Sequence, residues 1–208
     1  MRKDLKIMVA FNRRFAPVYV KLKELSRDKK VQHITYDMYR INRRESFFET
    51  TAIHAVDAVK WLAGSDFSKV KIEYQAMPEK GEKVANYYIY AEMHNGITAQ
   101  INCAVSTGRL YEGCRILCDE SIYYADFIVD TDQYGIKEYS ENKLVNVITA
   151  DMLCGSEYIE RMGFYSEHKV FYDSVLKNIS VEAVPSTAIQ SVEICNAIKA
   201  GRNTACCL

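Results

Sequence analysis

Apolar and polar positions change period several times along this 208-residue chain. Lys6 to Phe11, KIMVAF, is an apolar run without alternation and predicts a short strand buried on both faces. Pro17 then opens a helix running to about Ser26, with Val18, Leu22 and Leu25 inward. Val31 to Ile41 alternates and predicts a strand. A charged link, Asn42 to Ser46, leads to a helix over FFETTAIHAVDAVKWLAG, Phe47 to Gly64, which Gly64 ends and in which Ile53, Val56, Val59 (or Lys60 by its stem) and Trp61 form the inward stripe. From Lys69 to Ala150 strand-like runs repeat between turn-forming groups, including Pro78 to Glu82, Asn95-Gly96, Asp119-Glu120 and Asp130 to Gln133. Asn95-Gly96, between two alternating runs, predicts a hairpin. After Asp151 the period returns to that of helices, over Tyr158 to Asn178 and Ser186 to Ala200, the second introduced by Pro185 and closed by Gly201.

This order predicts an α+β fold: an open, largely antiparallel β-sheet forming one long meander, with helices packed on one face and the other face available for oligomerisation. A first strand buried on both faces needs neighbours that the following sequence does not supply, so a preceding segment is expected.

Composition narrows the function classes. Lysine plus arginine and aspartate plus glutamate both number 27, so no net field favours nucleic acid or an anionic membrane. The seven cysteines lack paired zinc-ligand spacing and read as reduced thiols; Cys114 and Cys118 share one strand face, which suggests packing. Without a signal segment or a run long enough to span a bilayer, a cytoplasmic location is expected. Many of the 15 tyrosines and 8 phenylalanines fall between Tyr74 and Tyr139; Tyr87, Tyr88, Tyr90, Tyr123 and Tyr124 are expected in the sheet core or a subunit interface.

The candidate chemistry centres on the helix after Phe47. His54 and Asp57 are three apart and Thr50 lies four before His54, placing all three along one polar stripe that can reach a ligand. The same His-x-x-Asp pattern is also common as a local hydrogen-bonded pair. Arg13 and Arg14 are candidates to clasp a substrate or a cofactor phosphate, or to form a salt-bridged hinge. Arg40, with Asn42 and Arg43, precedes the helix where a substrate loop would sit, or forms a solvated charge run. The chain has no Gly-x-Gly-x-x-Gly, Walker loop, HExxH or Gly-x-Ser-x-Gly motif.

Taken together, MVAFNRRFAP, IHAVDAVKWLAG, HKVFYDSVLKN and VPSTAIQSVEICNAIKAG, in this order, resemble the C-terminal two-thirds of the glucose-fructose oxidoreductase, inositol dehydrogenase and MocA family. The resemblance implies an NAD(P)-dependent oxidoreductase acting on a sugar, polyol or similar hydroxyl compound. Residues 1–27 would be a remnant of the junction to a missing nucleotide-binding domain, and residues 28–208 a substrate-binding and oligomerisation domain. His54 matches the family histidine and Asp57 the aspartate after it, which makes both catalytic candidates. Arg13, Arg14, Arg40, Thr50, Tyr165 and His168 are the substrate-binding candidates. Thr50 stands where the family commonly has an acid, with Glu49 one residue off that face. The expected cofactor is NAD or NADP in the intact enzyme and none in this chain, which would be inactive when isolated. The partners expected are a small sugar-like substrate and further copies of the chain through the sheet face, and neither nucleic acid nor membrane. The alternative is a non-catalytic small-molecule-binding or oligomerisation module.

Overall fold

The computed structural model describes residues 5–128 and 133–205. A 3-10 turn, Asn12–Phe15, leads into α1 (Pro17–Ser26), β1 (Val31–Tyr39) and α2 (Glu49–Ala63). Seven strands follow: β2 (Phe67–Ala76), β3 (Ala85–Met93), β4 (Thr98–Ala104), β5 (Tyr111–Cys118), β6 (Ile122–Asp126), β7 (Gly135–Ser140) and β8 (Lys143–Thr149). The chain then forms α3 (Ala150–Leu153), α4 (Tyr158–Arg161), α5 (Phe164–Lys177), α6 (Pro185–Lys199) and β9 (Thr204–Ala205). Most of the Asp130-to-Gln133 turn group, together with Cys206 and Cys207, lies outside the described residues.

The nine strands among the described residues belong to one open sheet in the order β8-β7-β6-β5-β1-β4-β3-β2-β9. Every pairing is antiparallel except β1 with β4. The α+β expectation therefore holds, but the single meander does not. β1 inserts between β4 and β5, because Ile34, Tyr36 and Met38 are fully buried on one of its faces and Thr35 is nearly so on the other. A strand covered on both faces belongs at the centre of a sheet, and its partners there are remote in sequence.

The helices cover one face, where Leu22 of α1 and Val56 and Val59 of α2 join a core with Ile34, Tyr36, Ile101, Cys103, Cys114 and Ile116. Cys114 and Cys118 are both buried on that face, as their spacing predicted. The opposite face carries a polar and aromatic net in which Tyr39 Oη and Asn102 Nδ2 both donate to Asp37 Oδ1. The tyrosines divide accordingly: Tyr87 and Tyr123 are buried, and Tyr90 and Tyr124 are exposed.

Local signals placed several elements well. Gly64 ends α2 in the left-handed region at φ 61°. Gly96, at φ 85°, closes the β3–β4 hairpin, with the Met93 amide donating to the Ile97 carbonyl across it at 2.8 Å. Three expectations are corrected. Lys6 to Phe11 is not a strand: Val9 donates one bond to the Ala183 carbonyl, Ile7 is exposed, and no strand lies alongside. The helix over Tyr158 to Asn178 is broken into α4 and α5 at Gly163, φ 84°. A Cβ there would lie 2.4 Å from the Asn12 carbonyl oxygen and 2.5 Å from the Ala16 nitrogen, so only glycine lets the break seat against the 3-10 turn. Finally, α2 is buried far more widely than one stripe: α6 packs against it, Ala52, Ala55 and Ala58 are buried, and Ile53 and Trp61 are only half-buried.

Candidate functional site

The site is built where the 3-10 turn meets α2, β1 and β5. Consecutive residues in a tight turn point in different directions, so Arg13 and Arg14 reach separate carboxylates. Arg13 makes a bidentate pair with Glu112 of β5, Nε to Oε1 at 2.9 Å and Nη2 to Oε2 at 3.0 Å. Arg14 makes another with Asp57 of α2, at 2.7 and 2.5 Å. Gly163 and Asn12 hold the turn in place, the Asn12 amide donating to the Met162 carbonyl and its oxygen accepting from Arg13 Nη1.

Glu112 is the hub. Besides Arg13, it accepts from Arg40 Nη2 at 2.7 Å and from the Tyr36 hydroxyl at 2.6 Å. Burial pushes its pKa up, but Arg13, Arg40 and the Tyr36 hydrogen bond outweigh burial and bring it down to about 2. Tyr36 in turn is raised well above the usual phenol value, by burial first and then by the Glu112 charge.

His54 stands beside this cluster. Its ring meets Phe11 edge-on at 6.3 Å, and its Nδ1 is buried with no hydrogen-bond partner. Burial and the positive charges of Arg13 and Arg40, only partly opposed by Glu112, lower its pKa to about 4. At neutral pH the imidazole is uncharged, able both to donate and to accept a hydrogen bond. A second unpartnered buried atom is Glu167 Oε1, on α5. Burial raises the pKa of this carboxyl, opposed by His168 and Arg13.

No protein-family model matches the chain. Over 207 residues it is 26% identical to "Putative oxidoreductase YceM" of Salmonella typhimurium, covering 95% of this chain and 62% of that protein. Among solved structures, GenD2 from gentamicin A biosynthesis, in complex with NAD, superposes with a TM-score of 0.70 at 19% identity, over 90% of this chain and 58% of that one. UDP-N-acetylglucosamine 3-dehydrogenase GnnA of Acidithiobacillus ferrooxidans superposes with a TM-score of 0.77 at 12% identity, over 96% and 62%. The chain shares the fold of part of these dehydrogenases, in keeping with its resemblance in sequence to the Gfo/Idh/MocA family. It spans about three fifths of the length of the relatives it matches.

In this fold the sequence-derived candidates separate. Arg13, Arg40 and His54 come together around Glu112. Asp57 does not pair with His54: Arg14 occupies both its oxygens, and Ser191 Oγ lies at 3.5 Å. Burial raises the Asp57 pKa, with Arg14 opposing. Thr50 is exposed and donates to the Phe47 carbonyl. Glu49 faces the opposite side of α2, towards Tyr87 and Cys195, and does not reach His54. Tyr165 and His168 are exposed, His168 Nδ1 lying 2.8 Å from the Phe164 carbonyl, while Glu167 between them is the residue turned inward. Sequence reasoning missed Glu112, although the alternation that pairs Cys114 with Cys118 also puts Glu112 on their face. Among the described residues no group of three or more side chains is placed to hold a metal, no glycine-rich strand-to-helix turn cradles a pyrophosphate, and no helix is long and apolar enough to cross a membrane.

Proposed function

We propose that this chain is the substrate-binding part of an NAD(P)-dependent oxidoreductase acting on a sugar, polyol or related hydroxyl compound, with the dinucleotide held outside the described residues. The observation that carries the reading is the neutral His54 ring, its Nδ1 unpartnered, set against the Arg13–Glu112–Arg40 cluster. The sequence likeness to an oxidoreductase and the folds shared with an NAD complex and a sugar-nucleotide dehydrogenase support it.

In this reading each residue takes a distinct role. His54 makes a hydrogen bond to the reacting hydroxyl or carbonyl oxygen; with a pKa of about 4 it orients that oxygen rather than storing a proton at pH 7. Arg13 and Arg40, fixed by Glu112, are positioning residues that keep the ring uncharged. Asp57 anchors α2 to the 3-10 turn through Arg14. When bound in the intact enzyme, the nicotinamide supplies hydride transfer. Calorimetric titration with glucose, myo-inositol and UDP-N-acetylglucosamine tests the reading: a ligand that binds should lose most of its affinity in His54→Ala and keep part of it in His54→Asn. Binding that ignores His54→Ala sinks it.

A specific observation also favours self-association. The uncovered sheet face presents Tyr90 and Tyr124, each 39% exposed, among hydrogen-bonded polar side chains, a composition suited to a wet interface between two copies. Light scattering on a Tyr90→Lys, Tyr124→Lys double variant should report a monomer where the parent chain is larger; a parent that is monomeric at all concentrations removes the idea.

A further inference from the structure

On the far side of α2 from His54 lies a cavity of about 790 Å³ between the first turn of α2, β2, β3, the loop joining them and the end of α6. Glu49 lines it: the residue as a whole is only 5% exposed, its carboxyl is not among the buried unpartnered atoms and so opens on the cavity, and no salt bridge engages it among the described residues. Two tyrosines form the adjoining wall, Tyr74 and Tyr87, whose rings meet edge to face at 5.9 Å. Val84 and Ile198 supply apolar lining.

The other charges around the cavity leave Glu49 without a counter-ion. Glu82 adds a second acid, and Lys83 and Lys199 also line the cavity without a salt bridge to Glu49 among the described residues. Lys199 is already placed over the Phe47 ring, 5.5 Å from its centroid. The negative charge of Glu49 reaches inward instead: after burial, it is the largest influence raising the hydroxyl of Tyr87 and the thiol of Cys195, the latter to about 12. Its place in the first turn of α2 gives the carboxylate some support from the helix dipole, which acts on its charge without filling the space in front of it.

We propose that this cavity is a second binding site, one that takes a small organic ammonium ligand, with the cation on the Glu49 carboxylate and its apolar body against Tyr74 and Tyr87. A carboxylate without an ion-pair partner that opens on a cavity favours a cationic occupant over a neutral one. Tyrosine rings next to it add attraction for an ammonium and contact area for the attached carbons. A primary ammonium also supplies three donors, which a carboxylate can accept where a neutral alcohol offers one. The site is separate from His54 and does not depend on the reading given above.

Calorimetry with benzylammonium, and with benzyl alcohol as the neutral counterpart, tests this directly. Benzylammonium should bind at least about tenfold more tightly than the alcohol, a preference of one carboxylate contact. Glu49→Gln should abolish the preference, and Tyr74→Leu should weaken benzylammonium several-fold. Thermal melts of the unmodified chain give a second readout independent of any variant's folding: benzylammonium should raise the midpoint and benzyl alcohol should not. Equal binding of the two probes, a preference that survives Glu49→Gln, or no binding of benzylammonium at millimolar concentration each overturns the proposal.

Discussion

Helix α2 buries two carboxyl groups eight residues apart and treats them in opposite ways. Asp57 is fully buried and both of its oxygens are held by Arg14, while Glu49, only 5% exposed as a residue, has no ion-pair partner among the described residues. Burial alone therefore does not say what an acidic side chain is for. A paired carboxylate ties elements together, here α2 to the 3-10 turn that carries Arg13. An unpaired one that opens on a cavity costs stability and leaves charge recognition unspent.

The largest test of that contrast removes the partner from the paired site. Arg14→Met should destabilise the chain by about 3–5 kcal/mol, since it strands Asp57 in the core. Adding Asp57→Leu should recover most of the loss in urea titrations. A small effect of Arg14→Met alone would show that Asp57 tolerates isolation as Glu49 does, and the contrast would collapse.

Charge in the neighbouring cluster gives a pH signature. The pKa of His54 is depressed from 6.5 to about 4, so the unfolded chain binds its proton first as pH falls. The stability this contributes is fully present above about pH 6.5 and is lost as pH falls towards 4, by about 3 kcal/mol in all. Glu112, also depressed, extends the loss from its unfolded value near 4.5 down to about 2, whereas the raised Asp57 works in the opposite direction. His54→Asn should flatten the slope between pH 6.5 and 4 and leave the more acidic part unchanged. An unchanged slope in that variant would place the titration elsewhere.

How much of this was legible in the sequence differs from one residue to the next. The helix bearing His54, its end at Gly64, the hairpin at Asn95-Gly96 and the start of α6 at Pro185 rest on local rules, and each appears where those rules put it. The pairing of β1 with β4 and β5 does not, because strand neighbours are chosen by burial across long stretches of chain. Gly163 reads in sequence as a tolerable glycine within a helix; only the approach of the 3-10 turn makes it a break. At the site, His54 and Arg13 were visible as residue types, but their meeting depends on Glu112 from a strand almost a hundred residues later. The cavity at Glu49 was invisible for the same reason, since its walls come from α2, β2, β3 and α6.

The unpaired side of the contrast predicts a gain. Replacing Glu49 by Leu removes a carboxylate that has no ion-pair partner and should raise stability by up to about 1 kcal/mol. Denaturant midpoints should move upwards with an unchanged slope, and the ammonium preference should vanish in the same variant. Destabilisation by Glu49→Leu would mean that the carboxyl has a supporting role within the fold, and that the two acids of α2 are alike after all.

The smallest effect sharpens what counts as a partner. Ser191 is fully buried and its hydroxyl lies 3.5 Å from Asp57 Oδ1, at the outer edge of hydrogen-bond distance, while Arg14 holds the same oxygen at 2.5 Å. If the guanidinium is what satisfies Asp57, Ser191→Ala should cost no more than about 1 kcal/mol, the worth of one weak neutral donor. The double variant with Arg14→Met should then show coupling, because with the cation gone the hydroxyl becomes the last donor to a stranded charge. A single-variant cost approaching that of Arg14→Met would instead show that Asp57 needs a full shell of donors. In that case the absence of a side-chain donor to Glu49 among the described residues would separate the two ends of α2 even more sharply than the missing ion pair does.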